Sequence, residues 1–243
     1  PQTHSSIEIN LKTLNINTIM HILSFFLALL AIIHGIQAVD YTVTNTALST
    51  SGGVRFRDQI GDQYATQTLD SATRFIRKVF QQNNPTNRKN VQKVSLFIDD
   101  MDGVAFTSGN EIHVSARYVN GYSGDVRKEI TGVLYHEMTH VWQWNGNGQG
   151  NGGLIEGIAD YVRLKANYAP THWVKAGQGD KWDHGYDVTA HFLDYCDSLK
   201  NGFVAKLNKL MSSGYSDQFF VQLLGKTVDQ LWKEYKAKYG NIA

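Results

Sequence analysis

The sequence predicts an α+β fold, with a small N-terminal sheet carrying one helix, then a helix that holds most of the polar chemistry, then a helical C-terminal lobe. Three observations predict it. Apolar and polar residues alternate with period two only in the first half, around Tyr41–Asn45, Val91–Asp99 and Glu111–Val119. Helical spacing of apolar residues dominates the second half. No internal repeat or low-complexity linker interrupts 39–243, which predicts one domain there.

Composition narrows the function classes. A chain of 243 residues with 42% hydrophobic and 19% charged residues can bury a sizeable core and is not a disordered polymer. A formal charge of +1 offers no basic groove for nucleic acid and no polybasic membrane anchor. One cysteine, Cys196, rules out an intramolecular disulfide framework and a thiolate zinc cluster. Its neighbours Phe192-Leu193-Asp194-Tyr195 predict a small buried hydrophobe at that position.

The run from Met20 to Ala38 is apolar, marginal in length for a membrane span, and ends in small and polar residues without a cationic flank. It predicts a signal peptide cleaved after Ala38, secretion, and no stable membrane anchor. Residues 1–19 lack apolar periodicity and are expected to be an upstream extension, untranslated or unstructured, with translation starting at Met20. The reading therefore has three parts: the extension 1–19, a leader 20–38, and a domain 39–243. No N-x-S/T sequon occurs, so N-glycosylation is not expected.

Within that domain, 39–57 reads as a strand followed by a turn at Gly52-Gly53. From Asp62 to Gln82, Tyr64, Leu69, Ala72, Phe75, Ile76 and Val79 share one helical face, and Asn83-Asn84-Pro85 stops the helix. Val91–Asp99 is a strand, Asp99-Asp100-Met101-Asp102-Gly103 a solvated turn lacking the later glutamate of a calcium loop, and Glu111–Val119 a second strand. Helices follow at about 125–144, 154–167, 186–200, 203–213, 216–223 and 227–238.

The segment Gly132-Val-Leu-Tyr-His136-Glu137-Met-Thr-His140-Val-Trp carries the chemistry. Residues four apart share a helical face, so both imidazoles converge on one point, where a divalent zinc accepts two such nitrogens. Glu137, beside the first histidine, is placed to take a proton from water. A two-histidine site needs a third ligand and an open position. Glu156 and Asp160, again four apart, lie on a following helix whose other positions (Leu154, Ile155, Ile158, Ala159, Val162) are apolar. Glu156 is expected as third ligand, and Asp160 as hydrogen-bond acceptor for a ligand imidazole. The pattern HExxHxxGxxH, which would put a histidine ligand just downstream, is absent, because Gln143 and Gly146 stand where it needs glycine and histidine; His113, His172, His184 and His191 stay open as ligands but have no support from spacing. Two imidazoles and a carboxylate suit Zn2+.

HEMTHVWQWNGNG, GGLIEGIADYVRLKA and WDHGYDVTAHFLDYC together resemble the plant basic secretory protein family, secreted and defence-associated proteins classed with zinc peptidases. Glu156-Gly-Ile-Ala-Asp160 is similar to the ligand-glutamate helix of gluzincin metallopeptidases. The resemblance implies a zincin-like domain, a peptide or protein substrate, peptide-bond hydrolysis and an apoplastic location. The competing expectation is a catalytically silent, metal-stabilised secreted binding protein; a structural site has no use for the base at Glu137. The strand Glu111–Tyr118 resembles the edge strand along which such peptidases lay substrate, with an ordinary sheet strand as the equal alternative. Tyr186 and His184 are candidates for the oxyanion donor, a packed aromatic being the alternative.

Overall fold

The computed structural model describes residues 38–240, together with residue 18 and residues 20–25. The chain divides into two units, Pro1–Ala38 and Val39–Ala243. Of the extension 1–19 expected from sequence only residue 18, and of the leader 20–38 only residues 20–25 and 38, are among the described residues. No described helix is long and apolar enough to cross a membrane.

The second unit is an α+β fold. Strand β1 (Asp40–Asn45) leads into helices α1 (Ser51–Gln59) and α2 (Asp62–Val79), followed by β2 (Lys93–Asp99), β3 (Ala105–Ser108) and β4 (Glu111–Ser115). The remaining elements are helical: α3 (Ala116–Gly121), α4 (Val126–Trp142), α5 (Gly152–Lys165), α6 (Tyr186–Leu199), α7 (Phe203–Leu210), α8 (Gln218–Leu224) and α9 (Val228–Tyr239). The four strands form one sheet in the order β1-β2-β4-β3. β1 and β2 pair in parallel, as do β2 and β4, whereas β3 returns antiparallel to β4.

The alternation in β2 does what its period demands. Val94, Leu96 and Ile98 are fully buried, as are Ile112 and Val114 of β4, while the intervening side chains face outward. They share one core with Leu69, Ala72 and Ile76 of α2 and with Ile130, Leu134 and Met138 of α4. Helix α4 is buried on nearly every side, as a central helix must be. Its C-terminal end is pinned to α2 by Trp142, whose Nε1 donates to Thr73 Oγ1 at 3.2 Å beneath the Arg77 guanidinium, 4.2 Å from the ring. The C-terminal lobe packs around Phe192, Phe220, Trp232 and Tyr235. Cys196 is buried there, and burial pushes its thiol pKa well up, in keeping with the small hydrophobe expected.

Three expectations are corrected. Gly52-Gly53 is not a turn but the first turn of α1, capped by the Thr50 side chain, which accepts from Gly53 N. A Cβ at Gly52 would lie 1.8 Å from the Ala116 carbonyl oxygen, so glycine is there for contact with α3. The strand expected over Glu111–Val119 ends at Ser115, whose hydroxyl accepts from Tyr118 N at 3.1 Å and starts α3. That strand is also interior, between β2 and β3. The edge position belongs to β3, which the sequence reading did not recognise and which turns into β4 through Gly109, at φ 61.

Candidate metal centre

Asp125 caps α4, its side chain accepting from Lys128 N at 3.0 Å. From that start the helix carries Glu129, His136 and His140 along one face, seven and four residues apart. Helix α5, capped by Asn151, runs against it and presents Glu156, Asp160 and Arg163. The approach requires a missing side chain: a Cβ at Gly132 would sit 2.6 Å from Arg163 Nε.

The four residues read from sequence meet here. His136 Nε2 lies 3.1 Å from His140 Nε2 and 3.2 Å from Glu156 Oε2, and the last two atoms are 3.6 Å apart. Among the described residues, these three form the one group of histidine, cysteine or acidic side chains arranged to hold a metal ion. Zinc bonds of about 2.0–2.1 Å at tetrahedral angles separate ligand atoms by about 3.3–3.4 Å, within the spread of this triangle, so the residues fit such an ion.

The surrounding hydrogen bonds favour the ligand tautomer of His136. Asp160 Oδ1 lies 2.6 Å from His136 Nδ1, a buried contact in which it accepts from Nδ1–H and so leaves the Nε2 lone pair for the triangle. His140 Nδ1 is 2.8 Å from the Gln143 side-chain amide, whose oxygen is buried without a partner. The same amide nitrogen donates to Ile155 O at 3.3 Å. Burial works to lower the His136 pKa, but hydrogen bonds to Asp160 and Glu156 outweigh it and push it up to about 10. Burial would likewise raise Glu156, yet its bonds to His136 and His140 hold it far below the usual carboxylate range. Ligand imidazoles bind metal in their neutral form, so proton and metal compete for such a triangle.

Glu137 is buried and does not join the triangle. Its Oε2 accepts from Thr107 Oγ1 at 2.7 Å, a contact from the edge strand β3. Tyr186, at the start of α6, stacks on His136 with ring centroids 6.0 Å apart and planes 12° from parallel. It is 55% exposed, and its backbone is left-handed at φ 45, uncommon for a bulky residue. Burial first, then the charges of Glu156, Asp160 and Glu137, raise its pKa, so the phenol stays protonated at neutral pH. His184 is exposed and is not among the residues lining the cleft.

The triangle, Asp160, Glu137, Thr107 and Tyr186 line a cleft of about 960 Å³. Toward the N-terminal end of α4 it is walled by a buried network that sequence reasoning missed. Arg163 Nη2 donates to both oxygens of Glu129 at 3.0 Å, Arg163 Nε donates to Tyr168 O at 3.0 Å, and the Tyr118 hydroxyl donates to Glu129 Oε1 at 2.9 Å. The seven-residue step from Glu129 to His136 was the available signal for Glu129 alone. For Thr107 the signal was the hairpin dipeptide Gly109-Asn110 that follows it. Toward the other end stands Lys89, half-buried, its Nζ 3.5 Å from the His140 carbonyl and 5.7 Å from the Trp144 ring centroid. Burial lowers its pKa.

The model of a family described as BSP, peptidase of plants and bacteria, matches residues 36–235. A protein named basic secretory protease, from Boswellia serrata, is 52% identical over 60 residues, which are 25% of this chain and 69% of that relative. No solved structure matches the chain. With a match across nearly the whole second unit and a relative of that name, the chain belongs to the basic secretory protein family, peptidases of plants and bacteria.

Proposed function

We propose that this chain is a secreted, zinc-dependent peptidase of zincin-like build, acting on peptide or protein substrates. The observation that carries the reading is the convergence of His136 Nε2, His140 Nε2 and Glu156 Oε2 within 3.1–3.6 Å at the wall of a cleft that also holds the separate carboxylate of Glu137. His136, His140 and Glu156 would hold the ion, with Asp160 fixing the His136 tautomer. Zinc in that place supplies Lewis acidity, enough to make water ionise near neutral pH. Glu137, steadied by the Thr107 hydroxyl, takes the proton of the attacking water and returns it to the departing amine nitrogen. The Tyr186 phenol, protonated and facing the cleft, donates to the oxyanion that develops on the substrate carbonyl. A carboxylate kept out of the triangle favours catalysis over a purely structural ion, which has no use for a base.

The leader 20–38 and a mature chain starting near Val39 belong to the same reading, supported by the apolar run of the leader and by the relative's name as a secretory protease. N-terminal sequencing of extracellular protein checks it; a mature chain that keeps Leu23–Ile33 rules it out. An apoplastic location and a part in plant defence follow from the family resemblance. The enzymatic claim is tested with wild type and Glu137→Gln on a peptide library, with metal quantified in the same samples. Hydrolysis should fall about 10²–10⁴-fold while bound zinc stays constant. Equal background cleavage by both proteins would leave a metal-stabilised binding protein instead.

A further inference from the structure

We propose that Lys89 forms a carboxylate-binding subsite at the end of the cleft beyond His140. The inference rests on the peptidase reading only in naming a peptide as the ligand that carries the carboxylate. Helix α4 forms the long wall of the cleft. From Glu129 to Gln143 it extends about 20 Å at about 1.5 Å per residue, enough for several residues of an extended peptide. The carbonyl that Lys89 touches belongs to His140, so the ammonium stands directly beside the cluster, on its C-terminal side.

Its bonding is incomplete. An ammonium has three donors, and Lys89 spends one on a long contact of 3.5 Å with a helix-end carbonyl. Among the described residues no carboxylate pairs with it, and its one hydrogen bond is to the His140 carbonyl. Arg163, the other cation lining the cleft besides histidine, is ion-paired with Glu129 and also donates to the Tyr168 carbonyl. The acidic groups of the cleft are likewise engaged. Glu156 and Asp160 face the imidazoles, Glu137 accepts from Thr107, and Asp187 accepts from Val174 N and Val188 N at 2.8 and 2.9 Å. A partly desolvated cation, backed by the Trp144 ring, is suited to an incoming anion. On a peptide the matching group is a carboxylate, from an Asp or Glu side chain or from the C-terminus. A cation that only satisfied the helix end would show itself in stability and not in ligand choice.

The test measures binding instead of turnover, so that a failure of hydrolysis does not hide the result. Glu137→Gln protein and the Glu137→Gln, Lys89→Met double variant are loaded with zinc and titrated with matched short peptides by calorimetry. One pair differs by an internal Glu or Gln, the other by a free or amidated C-terminus. The single variant should bind the carboxylate member of one pair roughly tenfold to a hundredfold more tightly, as a charge-assisted bond does. The pair that shows the preference identifies the source of the carboxylate. In the double variant that ratio should collapse toward one. Equal affinities within both pairs, no measurable binding of any peptide, or a preference that survives Lys89→Met would each overturn the proposal. The peptidase reading stands or falls separately, on the hydrolysis by wild-type protein described above.

Discussion

The cleft holds two non-histidine cations at its opposite ends, and the protein treats them differently. Arg163 is almost fully buried, and its guanidinium is bound on both sides by groups of the fold. Lys89 is half-buried and keeps donors unspent. A charge whose partners are inside the fold positions helices. One whose partner is absent is left for something that arrives. The same distinction sorts the carboxylates between them, since Asp160 is bound within the fold and Glu137 has one oxygen steadied and the other uncommitted.

Removing the buried cation should break the comparison most severely. Arg163→Met leaves Glu129 buried without its countercharge and should destabilise the fold by about 3–5 kcal/mol, read from a denaturant midpoint. A loss under about 1 kcal/mol would place Arg163 with the unpaired group. Next comes Asp160→Asn, which keeps the shape but weakens the hold on His136. Zinc affinity should fall about 10–100-fold by competition with a chelator, while Glu156→Ala should lose most of the metal. Thr107→Val removes one hydroxyl from Glu137 and should lower kcat roughly tenfold with KM and zinc content unchanged. Thr107→Ser should restore kcat, and failure of that rescue would reduce Thr107 to a strand-packing residue. The smallest effect is assigned to Lys89→Met, a stability change below about 1 kcal/mol, because its contact is long and half solvated. A larger loss would make Lys89 a structural cap like Arg163.

The chemistry was more legible in sequence than the sheet. His136, His140, Glu156 and Asp160 declare themselves because four-residue spacing converts directly into a shared helical face. The boundaries of α2, α4, α5, α6 and α9 fall within a few residues of the apolar periodicity for the same reason. Strands carry less per residue. β3 is four residues long with only Ala105 and Thr107 turned inward, too short for alternation to register. Gly52-Gly53 misled because glycine marks both turns and close backbone approach, and only the tertiary contact with Ala116 decides between them. The Glu129–Arg163 pair was invisible for a related reason: it joins two helices 34 residues apart in sequence, and nothing local announces such a partner.

The left-handed backbone of Tyr186 has a further consequence, for heat tolerance. A conformation that costs of order 1–3 kcal/mol persists only where the surroundings enforce it, and here the enforced residue is more than half exposed, so packing returns little. Asparagine adopts that backbone more readily. If Tyr186→Asn recovers about 1 kcal/mol, the melting temperature should rise by about 2–4 °C, while turnover drops with the lost phenol. The residue at the mouth of the cleft would then be one that selection for durability alone would discard, kept in place by the work it does on a substrate.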